Sequence, residues 1–142
     1  MPNHRCNAGT TWMLMSLAAL ATLVLTGCNP PKFYPARGKI IILGVGALSE
    51  GEVRFQPVSR PNLLAIVAIQ PDGTFTLATP AHGEGVLEGV CKVAIVVPAK
   101  NGKLVIDERY GDFSTSDFRF TVTPRAPPQE NFFMIDVTPP GR

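Results

Sequence analysis

The chain has too little cysteine for a disulfide framework. Cys6, Cys28 and Cys91 are the only three in 142 residues, an odd and widely spaced set. Tryptophan occurs once, at Trp12, and tyrosine twice, so the aromatic faces that sugar-binding surfaces use are scarce. Charged residues make up 17% of the chain, with a formal net charge of +2 and no basic run. A nucleic-acid partner therefore has no electrostatic footprint here. The longest uncharged apolar run, Trp12 to Leu25, is 14 residues. That is short of the ~20 that a spanning helix requires.

What is present begins with that run. Residues 1–11 carry Arg5 and no acid, the run follows, and Leu25-Thr26-Gly27-Cys28 ends it. A basic start, an apolar core and small residues before a cleavage point are the three parts of a secretory signal. Leu25, Thr26 and Gly27 are the expected signal-peptidase recognition residues. Small side chains there let an extended backbone enter the peptidase cleft, and Cys28 offers the thiol for a thioether to diacylglycerol. The pattern resembles the lipobox of bacterial lipoproteins. The resemblance implies that residues 1–27 form a signal helix that is removed. It also implies that Cys28 is lipidated and that the partner of the N-terminus is a membrane. A single acyl chain holds a protein only marginally, and two or more hold it stably. The expected location is the cell envelope, lipid-anchored at the outer membrane or periplasmic face.

Removal of residues 1–27 leaves 115, enough for one domain with a core. Residues 28–36 include Pro30, Pro31 and Pro35 and read as an extended tether, about 3.1 Å per residue and ~25 Å in reach. Residues 37–138 are the expected domain, and 139–142 a tail.

From Arg37 onward the apolar residues recur with period two. Seven strands are predicted: Lys39–Leu43, Val53–Pro57, Leu63–Ile69, Thr74–Leu77, Cys91–Val97, Phe118–Val122 and Phe132–Val137. Leu63–Ile69 reads as covered on both faces. Pro71-Asp72-Gly73 is a turn signal, and the strands around it read as a hairpin. Residues 98–116 are polar and irregular. The fold class is all-β, a single seven-stranded antiparallel β-sandwich after the signal helix.

Four segments carry a family resemblance: Gly38-Lys39-Ile40, Gly51-Glu52-Val53-Arg54-Phe55, Pro71-Asp72-Gly73-Thr74-Phe75-Thr76-Leu77 and Gly89-Val90-Cys91-Lys92-Val93. Their order resembles the carboxypeptidase regulatory-like, transthyretin-like (prealbumin-like) domains. They also resemble small lipoproteins abundant in planctomycete-type bacteria, whose further tyrosine-containing segment corresponds to residues 106–118 here. Cys91 stands where an aromatic is usual, and Asp107 and Phe113 where prolines are usual. The resemblance implies a prealbumin-like sandwich in the envelope with no established enzymatic activity. Urate-pathway hydrolases of the same fold class use a His- and Arg-rich groove and a C-terminal Tyr-Arg-Gly-Ser motif. This chain has His82 alone after residue 27 and ends Thr138-Pro139-Pro140-Gly141-Arg142.

No catalytic set is expected. Cys91 lies in an apolar strand and His82 in a Gly-rich loop, whereas a reactive thiol needs electropositive, partly exposed surroundings. Asp107, Glu108, Asp112 and Asp117 could supply oxygen ligands for calcium, but Arg109 interrupts them and the spacing fits no calcium loop. No cofactor and no metal site are expected. Tyr110 reads as a loop anchor whose ring packs on the sheets and whose hydroxyl finds a partner. The function expected is a non-enzymatic structural or protein-interaction role with an envelope protein partner. The alternative is a module for an envelope polysaccharide or small ligand, with Tyr110, Asp112 and Glu84 as its loop residues.

Overall fold

The computed structural model describes residues 29–141. The expected signal helix, the recognition residues Leu25 to Gly27 and Cys28 lie outside the described residues. The described chain is all-β, with twelve strands and one 3₁₀ turn. In chain order these are β1 (Phe33–Tyr34), β2 (Ala36–Ile42), β3 (Gly46–Ala47), β4 (Glu52–Pro57), β5 (Ala65–Ala68) and β6 (Thr74–Thr76), then β7 (Ala78–Thr79), β8 (Gly83–Glu84), β9 (Val86–Leu87), β10 (Gly89–Val96), β11 (Arg119–Val122) and β12 (Asn131–Val137). The 3₁₀ turn covers Glu108–Gly111, between β10 and β11.

One sheet has the order β11-β10-β4-β5, all antiparallel. A second is built on β2, with β12 along one edge and β3 and β6 end to end along the other. Alternation buries one face of each long strand. Ile40 and Ile42 of β2, Val53 and Phe55 of β4, Val93 and Ile95 of β10, and Phe133, Ile135 and Val137 of β12 all enter one core. Phe55 of the first sheet meets Phe133 of the second with ring centroids 5.5 Å apart, and Phe120 meets Phe133 at 5.0 Å.

Gly38 lies inward on β2 with no space beside it. A Cβ there would overlap the carbonyl oxygen of Phe133 and lie 2.5 Å from Cζ of Phe75. Hydrogen in place of a side chain is what lets the Phe75 ring cross β2. Gly73 serves the turn before β6: its φ is +84°, a value glycine adopts without a Cβ clash.

Several expectations are corrected. Each of the seven expected strands has a counterpart, but there are five further two-residue strands, β1 before the first of them and β3, β7, β8 and β9 between them. Such short pairings are set by backbone position and leave no alternation to read. The pairing is not purely antiparallel, because β12 runs parallel to β2 over Asn131–Val137. Pro71-Asp72-Gly73 does not close a hairpin: β5 pairs with β4 and β6 with β2, so the turn passes the chain from one sheet to the other. The strand within Leu63–Ile69 is β5 alone, an edge strand with Ile66 and Ala68 exposed, not one covered on both faces. The tether is shorter than residues 28–36, because Phe33 and Tyr34 pair with Leu87 and Val86 and Ala36 is buried. Apolar side chains in that segment draw it onto the domain despite its prolines.

Candidate functional site

The segment between β10 and β11 holds most of the chemistry expected of a site. Asp107 opens the 3₁₀ turn by accepting the amide of Arg109 at Oδ1, 3.0 Å away. This is the usual capping role of a short acceptor side chain. The turn delivers Tyr110 inward, where it is buried. Its ring stacks on Phe118 at 5.1 Å between centroids, and Phe118 stacks on Phe120 at 6.2 Å. An aromatic row therefore runs from the loop to Phe133 in the core.

The Tyr110 hydroxyl is saturated. It accepts from Arg109 Nη2 at 2.8 Å and from the Thr138 amide at 3.3 Å, and lies 3.1 Å from Thr138 Oγ1. A phenol has one hydrogen to give and two lone pairs, so with both lone pairs taken it donates to Oγ1. Burial would raise its pKa, but the hydrogen bonds from Thr138 and Arg109 outweigh that and hold it below the usual phenol value. The same bond, helped by the Arg109 charge over the ring at 4.9 Å, raises the Arg109 pKa. Tyr110 is the anchor expected of it and has no free face or hydroxyl for a ligand.

Asp112 caps the next turn. Its Oδ1 accepts the Ser114 amide at 2.6 Å and the Ser114 hydroxyl, and these bonds hold its carboxyl below the usual range. Its carbonyl accepts the amides of Thr115 and Ser116. Glu84 is exposed on β8, opposite Ala78 of β7. The three residues named for a ligand loop thus have separate surroundings: Tyr110 in the core, Asp112 in its own turn, Glu84 on the β7–β8 pair.

Among the described residues, no group of three or more His, Cys, Asp or Glu is gathered to hold a metal ion. Asp107 and Asp112 cap different turns, and Glu108 and Asp117 face solvent. His82 and Cys91 also have different neighbours. The His82 ring stacks on Phe33 at 4.5 Å. Cys91 is fully buried, with the Gly89 carbonyl 3.9 Å from Sγ, and burial pushes its thiol up to about 11.

Two surface hollows among the described residues are small. One of about 290 Å³ is lined by Val45, Leu48, Glu50, Lys100 and Val105, with Lys100 Nζ 2.6 Å from Glu50 Oε1 at its rim. Another, of about 130 Å³, lies between Ile95, Val97, Ile106 and Asp107. Both fall below the ~300–1,000 Å³ of ordinary small-molecule sites.

Sequence reasoning did not reach two features. Thr138, the partner of Tyr110, is an ordinary threonine just past β12. The place of β12 at a sheet edge among the described residues depends on strand order, which no local pattern encodes. Comparison with protein-family models, with characterised proteins and with solved structures gives no match.

Proposed function

We propose that this is a lipid-anchored cell-envelope protein with a non-enzymatic structural or protein-interaction role. Its domain is proposed to be a β-sandwich of the carboxypeptidase regulatory-like, transthyretin-like type, with seven principal strands. The observation that carries the reading is the Leu25-Thr26-Gly27-Cys28 pattern, followed five residues later by Phe33, already paired with Leu87 of β9. A diacylglyceryl Cys28 leaves at most ~18 Å of extended chain before the domain. The domain then works against the membrane surface. Two sheets that share one core support the sandwich, and the four sequence segments support the family.

The role follows from where the polar groups go. Tyr110, Asp107, Asp112 and Arg109 hydrogen-bond within the fold. The exposed apolar side chains, Phe132 and Met134 among them, remain for contact with another protein. The polysaccharide or small-ligand reading loses Tyr110 as its platform.

Metabolic labelling with a fatty acid tests the anchor. Wild-type chain should carry label and Cys28→Ser should carry none, with its signal left uncleaved. Equal labelling of the two would sink it. Cross-linking in membranes, with mass spectrometry of what co-purifies, tests the role. A recurring protein at near-stoichiometric yield is expected, and retained polysaccharide alone would replace this reading with the ligand-module one.

A further inference from the structure

β12 is an edge strand among the described residues. Residues of alternate parity send their backbone groups to opposite sides of a strand. On β12 the odd residues face β2: the Asn131 amide donates to the Pro35 carbonyl, and the Val137 carbonyl accepts from Leu43. Phe132, Met134 and Asp136 therefore direct both N–H and C=O away from β2, toward the side where β12 has no neighbouring strand among the described residues. Their side chains lie on the outer face, with Phe132 54% and Met134 49% exposed. Sheet edges are ordinarily blunted by proline, lysine, a bulge or a covering segment. Residues 131–137 contain neither proline nor lysine. They pair with β2 in unbroken register.

The open stretch has a definite end. The next residue of the same parity, Thr138, is already occupied: its carbonyl accepts from the Asp107 amide, and its N–H donates to Tyr110. Three residues remain, centred on Met134. Such a window is its own complement under a two-fold rotation. With two copies antiparallel, Met134 meets Met134, Phe132 meets Asp136, and each facing pair exchanges two hydrogen bonds.

Charge also fits a second copy. The Arg37 guanidinium pairs with Glu130 of its own chain at 2.7 Å and lies 6.0 Å from the centre of the Phe132 ring, on the neighbouring strand, where it has room for a second carboxylate. Asp136 of the other copy would come down beside that ring, toward Arg37. No like charges face each other in this register, and opposed like charges are what destabilise a strand pair.

We propose that two copies of this chain join through β12, edge to edge and antiparallel about Met134, making one sheet continuous across both. This deepens the protein-interaction reading above by naming the partner. It does not depend on the lipid, since Cys28 takes no part in the edge.

Cysteine cross-linking in membranes of cells expressing the full chain tests it. Residues facing each other in a hydrogen-bonded antiparallel pair have Cα atoms about 5.5 Å apart, inside the range a disulfide spans. Met134→Cys should give a disulfide-linked dimer under mild oxidation, at least tenfold above the unsubstituted chain. Val45→Cys, more exposed at 72% but far from the axis, should stay at that background. Adding Asp136→Lys to Met134→Cys puts a cation near Arg37 of the other copy and should cut the dimer about tenfold. Equal cross-linking at Met134→Cys and Val45→Cys, or none at either, would overturn the proposal. So would a Met134→Cys dimer indifferent to Asp136→Lys. Repeating the pair on Cys28→Ser separates the two ideas: a cross-link that persists without fatty-acid label keeps the edge and removes the anchor's part in it.

Discussion

The Tyr110 hydroxyl and the Thr138 side chain, 28 residues apart in sequence, lie 3.1 Å apart across the end of β12. The contact ties the 3₁₀ turn to the C-terminal strand, and the Asp107 amide on the Thr138 carbonyl at 3.0 Å doubles it. Tyr110→Phe keeps the stack on Phe118 but leaves the Thr138 N–H without its acceptor. An unsatisfied buried donor costs about 1–3 kcal/mol. Tyr110→Ala also loses the ring and should cost about 3–5 kcal/mol. Urea unfolding of the two variants would show the difference. A Tyr110→Phe midpoint equal to wild type would mean that water replaces the hydroxyl.

Cys91 should be inert in the fold. Its thiol sits at about 11 against an ordinary 9.0, because burial disfavours the thiolate. Thiolate is the reactive form, so alkylation at pH 8 should be more than a hundredfold slower in the native chain than in urea. The linkage sign follows from the direction of the shift. The folded value is the higher one, so Cys91 costs nothing below pH 9. Its share of stability is then lost as pH rises from 9 toward 11. The loss is on the order of 2 kcal/mol. Cys91→Ala should show a shallower fall in stability over that window, and identical slopes would refute the assignment.

Gly38→Ala tests the close approach of β2 to Phe75. The added methyl has the Phe133 carbonyl oxygen and the Phe75 ring against it, and a rigid backbone atom cannot swing aside. Overpacking of this kind costs about 1–3 kcal/mol. Pairing it with Phe75→Leu should recover part of the loss. Thermal melts of the single and double variants would measure the coupling, and simple additivity would count against it.

Much of this was readable one strand at a time. Phe75 and Leu77 inward, Phe133, Ile135 and Val137 on one face, and Tyr110 as an anchor all follow from local alternation and from the chemistry of a phenol. Strand order did not follow. Nothing in Thr74–Thr76 says that it pairs with β2 instead of β5, and nothing in Asn131–Val137 says that it runs parallel. Those choices are made by contacts between segments up to a hundred residues apart. The docking of Phe33 was hidden for a related reason. Three nearby prolines suggest an extended tether, while the paired backbone of Val86 and Leu87 that receives Phe33 and Tyr34 lies fifty residues on. The ligand loop failed as a site because close sequence spacing of Asp107, Tyr110 and Asp112 does not converge their side chains.

Asn131 is the buried polar residue on which the start of β12 depends. Its Oδ1 accepts the amide and the hydroxyl of Thr123, each at 3.0 Å. Its Nδ2 donates to the carbonyls of Thr123, at 3.0 Å, and Pro35, at 3.2 Å. The amide thus joins the end of β11 to the beginning of β2, and both halves of it are used. Asn131→Leu keeps the volume but takes the acceptor from the Thr123 amide and hydroxyl and the donor from the Thr123 carbonyl, while Pro35 keeps the Asn131 backbone amide; the loss should be about 1–3 kcal/mol in all. Asn131→Asp is the sharper test. It keeps the acceptor for Thr123 but turns an oxygen toward two carbonyls, so the ionised carboxyl is disfavoured and its pKa rises in the fold. A raised folded value means that its share of stability is present at low pH and lost as pH rises. The deficit of Asn131→Asp should therefore shrink below pH 4, where the protonated carboxyl can donate to one of the carbonyls. Asn131→Leu should show no such recovery. Chemical denaturation of both at pH 3.5 and pH 7 would decide it, since equal deficits for Asn131→Asp at the two values would mean that Nδ2 is not the group holding Pro35 and Thr123.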